Sequence, residues 1–166
     1  MTETKNYILD QEVAAKKLER IAFEILENNY DEKEIILAGI RERGSAIARK
    51  MQRLFASISE IPTDVIKVEL SKIKPDKVTL SKPIDFDDKV VILIDDVAST
   101  GETLLYALKP FLEFHPKKIQ TLVLVERSHK KFPIHTDYVG ISIASTLQDH
   151  IFVEVEGDEV TSAYLV

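Results

Sequence analysis

Cysteine is absent from all 166 residues, which excludes a disulfide scaffold, a thiolate metal site and a thiol nucleophile together. No apolar run approaches the roughly 18 residues needed to span a bilayer. The first ten residues, MTETKNYILD, lack the basic start and apolar stretch of a secretory leader. There is no internal repeat, low-complexity tract or glycine-serine linker. An excess of positive charge is missing too. Lys and Arg number 22 against 28 Asp and Glu, a formal net charge of -6. That argues against a general nucleic-acid binder and leaves room only for a local basic face. What is present, 45% hydrophobic and 30% charged residues, is ordinary for a globular chain long enough to bury a core. The expectation is one domain over residues 1–166, not bound to a membrane and cytoplasmic.

Hydrophobic spacing supplies the organisation. Residues Asp10 to Asn28 carry Val13, Ala14, Leu18, Ile21, Ala22, Ile25 and Leu26 at intervals of three and four, which predicts an amphipathic helix. The short run Ile35 to Ile40 suits a buried strand. RERGS follows, then a helical pattern through Ile47, Ala48, Met51 and Leu54, and a strand around Val65 to Val68. Residues Leu70 to Phe86 are irregular, with prolines at 75 and 83. From Lys89 the alternation resumes: strand Val90 to Ile94, helix Leu104 to Phe114, strand Ile119 to Val125. After Arg127 the chain reads as strand-poor until a hairpin around Glu156, Gly157 and Asp158. Strand–helix–strand alternation predicts an α/β fold, a mostly parallel twisted sheet with helices on both faces and a small C-terminal subregion.

The stretch ILIDDVASTGET, residues 92–103, carries the chemistry. In open parallel sheets, ligands bind beyond the carboxyl ends of strands, where a loop enters a helix. Ser99, Thr100, Gly101 and Thr103 surround such an entry, where backbone N–H groups lack intrahelical partners. That is a phosphate cradle, with Gly101 permitting close backbone approach. It is not a Walker loop, because no lysine follows the glycine. Two adjacent carboxylates, Asp95 and Asp96, do not belong beside a phosphate alone. They suit a ligand that also presents hydroxyls or a bridging divalent cation. A ribose 5-phosphate has both ends. The plain alternative is a helix cap and a turn.

This stretch resembles the phosphoribosyl-diphosphate signature of type I phosphoribosyltransferases. Two others, ILAGIRERGSAIA and LVLVERSHKKFPIHTDYVGISIAST, are similar to the corresponding stretches of the pyrimidine-operon attenuator/uracil phosphoribosyltransferase family. The similarity runs with gaps from about Tyr7 to Ser145. It implies the type I phosphoribosyltransferase fold, whose small C-terminal subregion is a hood. It also implies transfer of ribose 5-phosphate from phosphoribosyl diphosphate to a nucleobase, uracil first and a purine second, with Mg2+ and in a homodimer.

By the resemblance, Asp95 and Asp96 bind the ribose hydroxyls, directly or with a metal. Ala98, Ser99, Thr100, Gly101 and Thr103 bind the 5-phosphate. Arg41, Glu42, Arg43 and Gly44 hold the diphosphate, and the residues alone already read as an anion site, two arginines and a glycine at a helix start. Arg127, Ser128 and His129 take the base. Relatives commonly carry glycine where Ser128 stands. Lys67 to Phe86 looks shorter than their flexible lid, for which Lys72, Lys74 and Lys77 are the available cations. Glu102 sits where relatives are often basic or neutral. RNA is the less favoured partner: the first helix is acidic, and only Lys117, Lys118, Arg127, Lys130 and Lys131 form a basic cluster. The rival readings are a non-catalytic regulator that binds the same ligand and acts on RNA or a protein, and an unrelated α/β phosphate-binding domain.

Overall fold

The computed structural model describes residues 3–71, 73–146 and 148–166. Its first strand, β1 (Asn6–Asp10), runs straight into helix α1 (Gln11–Asn29). The Asp10 side chain caps the helix by accepting the Val13 N–H at 2.8 Å. Ala14, Leu18, Ile21, Ala22 and Ile25 are buried as their spacing predicts, whereas Val13 faces solvent at 41% exposure. Then follow β2 (Ile35–Ile40), α2 (Arg41–Ala56), β3 (Thr63–Leu70), β4 (Val78–Leu80) and β5 (Val90–Ala98). The second half holds α3 (Glu102–Ala107), β6 (Lys118–Arg127), β7 (Tyr138–Ile143), β8 (Ile151–Glu156) and β9 (Glu159–Leu165).

The main sheet has the order β4-β3-β2-β5-β6-β7, parallel except for β4. Alternate residues of β5 feed two cores. Ile92 and Ile94 pack with α1 and α2, while Val91 and Leu93 pack with α3 and the Phe86–Phe111 pair. The α/β layering expected from the alternation is therefore present, with helices on both faces.

Three elements depart from the hydrophobic pattern. The helix expected over Leu104 to Phe114 stops at Ala107, and only a 3-10 turn follows at Phe111–Glu113. Pro110 has no N–H to donate and disfavours helical geometry at Lys109. The segment after Arg127 is not strand-poor, because β7 pairs with β6 along the sheet edge. Gly140 interrupts its apolar run, and a Cβ there would lie 2.3 Å from the Leu124 carbonyl. Arg20 on α1 covers this edge by donating to the carbonyls of Val139 and Gly140, each at 3.0 Å. Finally, the hood is not purely C-terminal. It is an antiparallel sheet of order β1-β9-β8, so the two ends of the chain build it together.

The β8–β9 turn is latched to α2. Asp158 accepts from Arg49 and Arg53 at 2.9 Å each, and Lys50 reaches Glu159 at 2.7 Å. Arg53 first, and Arg49 with it, hold the Asp158 carboxyl below the usual range. A carboxyl depressed in the folded state stabilises fully above its unfolded value and loses that contribution as pH falls through the folded one. Asp158→Asn is therefore expected to cost up to about 1 kcal/mol in denaturant unfolding at neutral pH. The difference from the parent shrinks below the ordinary carboxylate range. Equal stability at neutral pH would show that the latch contributes nothing.

Candidate functional site

β5 outruns its neighbour on one side. It pairs with β2 only as far as Ile94, but with β6 as far as Ala98. Asp95, Asp96, Val97 and Ala98 therefore present one open edge at the carboxyl end of the sheet. Asp95 and Asp96 belong to the strand and not to the turn, which was expected to begin after Ile94. The start of α2 closes against this edge. A cavity of about 800 Å3 opens here, lined by Arg41 and Arg43, by Asp95 and Asp96, and by the loop from Ala98 to Gly101 with Thr103. Arg127 and residues His150 to Val153 form its remaining wall. Most of the residues singled out from sequence thus meet in one place.

Backbone contact makes that meeting close. A Cβ on Gly44 would lie 2.5 Å from the Ile94 carbonyl oxygen, and one on Gly39 would lie 2.4 Å from Ser45 Cα. Arg41 sits between these glycines at φ 54°, a left-handed conformation that a side chain rarely adopts. Its Nε donates to the Leu70 carbonyl at 2.9 Å, while its Nη2 is buried with no partner among the described residues. A strained arginine with an unsatisfied donor on a cavity wall has hydrogen-bonding capacity directed at whatever fills the cavity, and its charge suits an anion. Glu42 turns outward to pair with Lys67 and does not line the cavity.

The carboxylates differ in environment. Asp95 is 6% exposed, and Asp96 is half-buried. Burial, then the neighbouring charge of Asp96, push the Asp95 carboxyl well above its ordinary value. The backbone N–H of Asp96, which donates to Asp95 Oδ1 at 2.8 Å, and the Arg41 guanidinium pull it partly back. A hydroxyl donor or a cation in the cavity would favour the ionised form further. Among the described residues no group of three or more His, Asp or Glu side chains could cage a metal. The carboxylate pair suits an ion that completes its coordination on ligand oxygens and water, as Mg2+ does with phosphates.

In the loop between β5 and α3, Gly101 has φ +87° and lies against Ile134. The Thr100 carbonyl accepts from the N–H groups of Lys131 at 2.9 Å and Phe132 at 3.1 Å, so the 130s segment braces the loop from behind. With α3 only six residues long, the cradle rests on local N–H groups and hydroxyls more than on a helix dipole. Glu102 is not on the cavity wall.

At the base end, the sequence-derived assignment and the geometry diverge. Ser128 and His129 are exposed and outside the cavity. Ser128 donates through both its N–H (2.9 Å) and its Oγ (3.2 Å) to the Ile143 carbonyl. Arg127 lines the cavity, but its guanidinium is spent largely on backbone carbonyls. The wall opposite the carboxylates comes from His150, Ile151, Phe152 and Val153, which the sequence reading missed. One signal was available. In Ile-Phe-Val-Glu-Val-Glu, Phe152 is the apolar residue out of phase with the buried Val153 and the partly buried Ile151 and Val155.

The basic cluster also dissolves in three dimensions. Lys117 and Lys118 stand at the start of β6, paired with Glu32. Arg127, Lys130 and Lys131 stand at its far end, about 30 Å away along the strand, with Lys130 paired to Glu126. Of the cations read as lid residues, Lys74 lies 3.9 Å from Asp76 in the β3–β4 connection, and Lys72 lies outside the described residues. Among the described residues no helix is long and apolar enough to cross a membrane.

Comparison with known proteins agrees with this architecture. The family model described as phosphoribosyl transferase domain matches residues 5–159. The bifunctional protein PyrR of Clostridium acetobutylicum is 37% identical over 163 residues, covering 92% of this chain and 92% of the relative. That of Streptococcus gordonii is 32% identical over 154 residues, covering 89% of each. Among solved structures, the hypoxanthine phosphoribosyltransferase of Trypanosoma cruzi superposes with a TM-score of 0.77 at 15% identity, covering 95% of both chains. A hypoxanthine-guanine phosphoribosyltransferase of Bacillus anthracis gives 0.74 at 18% identity, covering 99% of this chain and 100% of that one. At such identities the solved structures speak for the fold, and the PyrR proteins for kinship. The chain is a phosphoribosyltransferase: it belongs to the phosphoribosyl transferase domain family, with the PyrR proteins among its relatives.

Proposed function

We propose that the protein transfers ribose 5-phosphate from phosphoribosyl diphosphate to a nucleobase, with uracil the first candidate and a purine the second. One observation carries the reading: two arginines at the start of α2, a carboxylate pair and a loop of small hydroxyl residues with a glycine line a single cavity, which matches the charges and hydroxyls of the donor. Arg41 and Arg43 take the diphosphate, Asp95 and Asp96 the ribose hydroxyls, and Ala98, Ser99, Thr100, Gly101 and Thr103 the 5-phosphate. The base lies against the wall at His150 to Val153.

In this reading a ring nitrogen of the base bonds to the anomeric carbon as the bond to the diphosphate oxygen breaks. The proton on that nitrogen leaves to solvent or to the departing diphosphate. Asp95 and Asp96 would hold Mg2+, which would supply charge neutralisation to the leaving group. The protein's own contribution is orientation and cationic stabilisation of the developing charge by the arginines. No side chain is assigned as nucleophile or general base. Uracil ranks first because of the resemblance to the pyrimidine-operon attenuator/uracil phosphoribosyltransferase family. A homodimer belongs to the same reading.

The second reading is a regulator that binds the donor or a nucleotide without useful turnover. The short connection between β3, ending at Leu70, and β4, starting at Val78, favours it, since it offers little chain to cover the diphosphate end. A screen of the common bases with phosphoribosyl diphosphate and Mg2+ separates the two. Diphosphate release that depends on uracil is expected. Donor binding with no release on any base would leave the regulator.

A further inference from the structure

Arg127 is 3% exposed, yet none of its partners is a carboxylate. Its Nη1 donates to the Thr146 carbonyl and reaches the Ser145 carbonyl at 3.5 Å, and its Nη2 donates to the Asp149 carbonyl at 2.7 Å. Its Nε is buried and has no partner among the described residues. A buried cation costs several kcal/mol unless it is compensated, so this one is held for what it does. The carbonyls it gathers belong to the connection between β7 and β8, immediately before the residues that wall the cavity. The Asp149 carboxylate tightens the same turn, accepting from the Thr146 N–H (3.2 Å) and hydroxyl (3.1 Å). Next to Arg127, Ser128 ties the other end of the connection to Ile143. Two consecutive residues at the end of β6 thus hold both ends of the segment that delivers His150 to Val153.

We infer that Arg127 is a positioning residue: its guanidinium fastens the β7–β8 connection to the end of β6 and so sets the place of the base-side wall. The inference deepens the proposed function, since it concerns the base end of the same cavity. Arginine suits the task because its planar fork aims several donors at separate carbonyls, where the ammonium of lysine is a single point. Ser128 fits the same scheme: its hydroxyl is turned to the connection, away from the cavity.

The test uses Arg127→Lys and Arg127→Gln in the full chain, with two readouts. Hydrogen exchange of the free protein over residues 148–153 should quicken at least tenfold in both variants, with residues 90–103 unchanged. In the transfer assay, the KM for the base should rise about tenfold or more, with kcat and the KM for the donor within about twofold. Unchanged exchange over 148–153 in a folded variant overturns the inference, as does a base KM that stays at the parent value. A raised base KM without faster exchange assigns Arg127 to direct contact with the base and also overturns it. If the parent transfers to no base, the proposed function fails while the exchange experiment still decides the role of Arg127.

Discussion

Asp95→Asn should yield a protein that melts higher than the parent at pH 8 yet binds phosphoribosyl diphosphate about 10- to 100-fold more weakly. Both effects follow from the same burial. The Asp95 carboxyl is pushed well above its ordinary value, chiefly by burial and then by Asp96. Between the unfolded value near 3.9 and the raised folded value, the native state binds the proton that the unfolded state has released. Stability therefore falls as pH rises through that window and levels off above it. Asparagine removes this penalty and can still accept the Asp96 N–H at its Oδ1. A gain of a few degrees is expected, since about 1 kcal/mol shifts Tm by ~2–4 °C in a chain of this size. The gain should vanish as pH is lowered toward 4. Binding suffers because a hydrogen bond to an ionised carboxylate is worth ~1.5–3 kcal/mol, and an amide returns less. Melting curves against pH and calorimetric titration check the two halves. A variant that melts below the parent at pH 8 refutes the burial penalty, and undiminished donor affinity refutes the ribose assignment. Adding Asp96→Asn should abolish binding without unfolding the chain.

Gly44→Ala is expected to damage both stability and donor binding through a single added methyl group. The new Cβ would stand 2.5 Å from the Ile94 carbonyl oxygen and 3.4 Å from Asp95 Cα, all backbone. No side chain can rotate away, so the start of α2 must lift from β5. Overpacking of this kind costs ~1–3 kcal/mol, a fall of several degrees in Tm. Function should fall further, because the lift moves Arg41 and Arg43 relative to Asp95, and a 1 Å misplacement can cost ~100-fold. A folded Gly44→Ala protein that binds phosphoribosyl diphosphate as the parent does would show that the two loops do not act on one ligand.

The strand–loop–helix element that carries Asp95 to Thr103 was legible because it is local. Strand, acids, small hydroxyl residues, glycine and helix follow one another within 18 residues, Val90 to Ala107, and each step has its own backbone chemistry. Arg41 and Arg43 were legible as residue types, but not the left-handed turn at Arg41 or its Nη2 without a partner among the described residues. At the base end the residues that line the cavity were only partly legible, for a different reason. Arg127, Ser128 and His129 are neighbours in sequence, yet one is buried against carbonyls and two face solvent. Hydropathy does not distinguish a guanidinium that clamps backbone from one that awaits a ligand.

By itself, then, the sequence determined the alternation of strands and helices, the carboxylate pair and the cradle after it, because periodicity and turn chemistry act over a few residues. Tertiary structure decided what those parts make together. Parallel pairing of β2 with β5 brings Arg41 to Asp95 from more than fifty residues away. Pairing of β1 with β9 joins the chain ends into the hood, and β8 carries its wall to the cavity. The length of β6 parts lysines that a linear reading had grouped. Each of these is a long-range contact, and its energy comes from the surface that distant segments bury together, which no local window of residues contains.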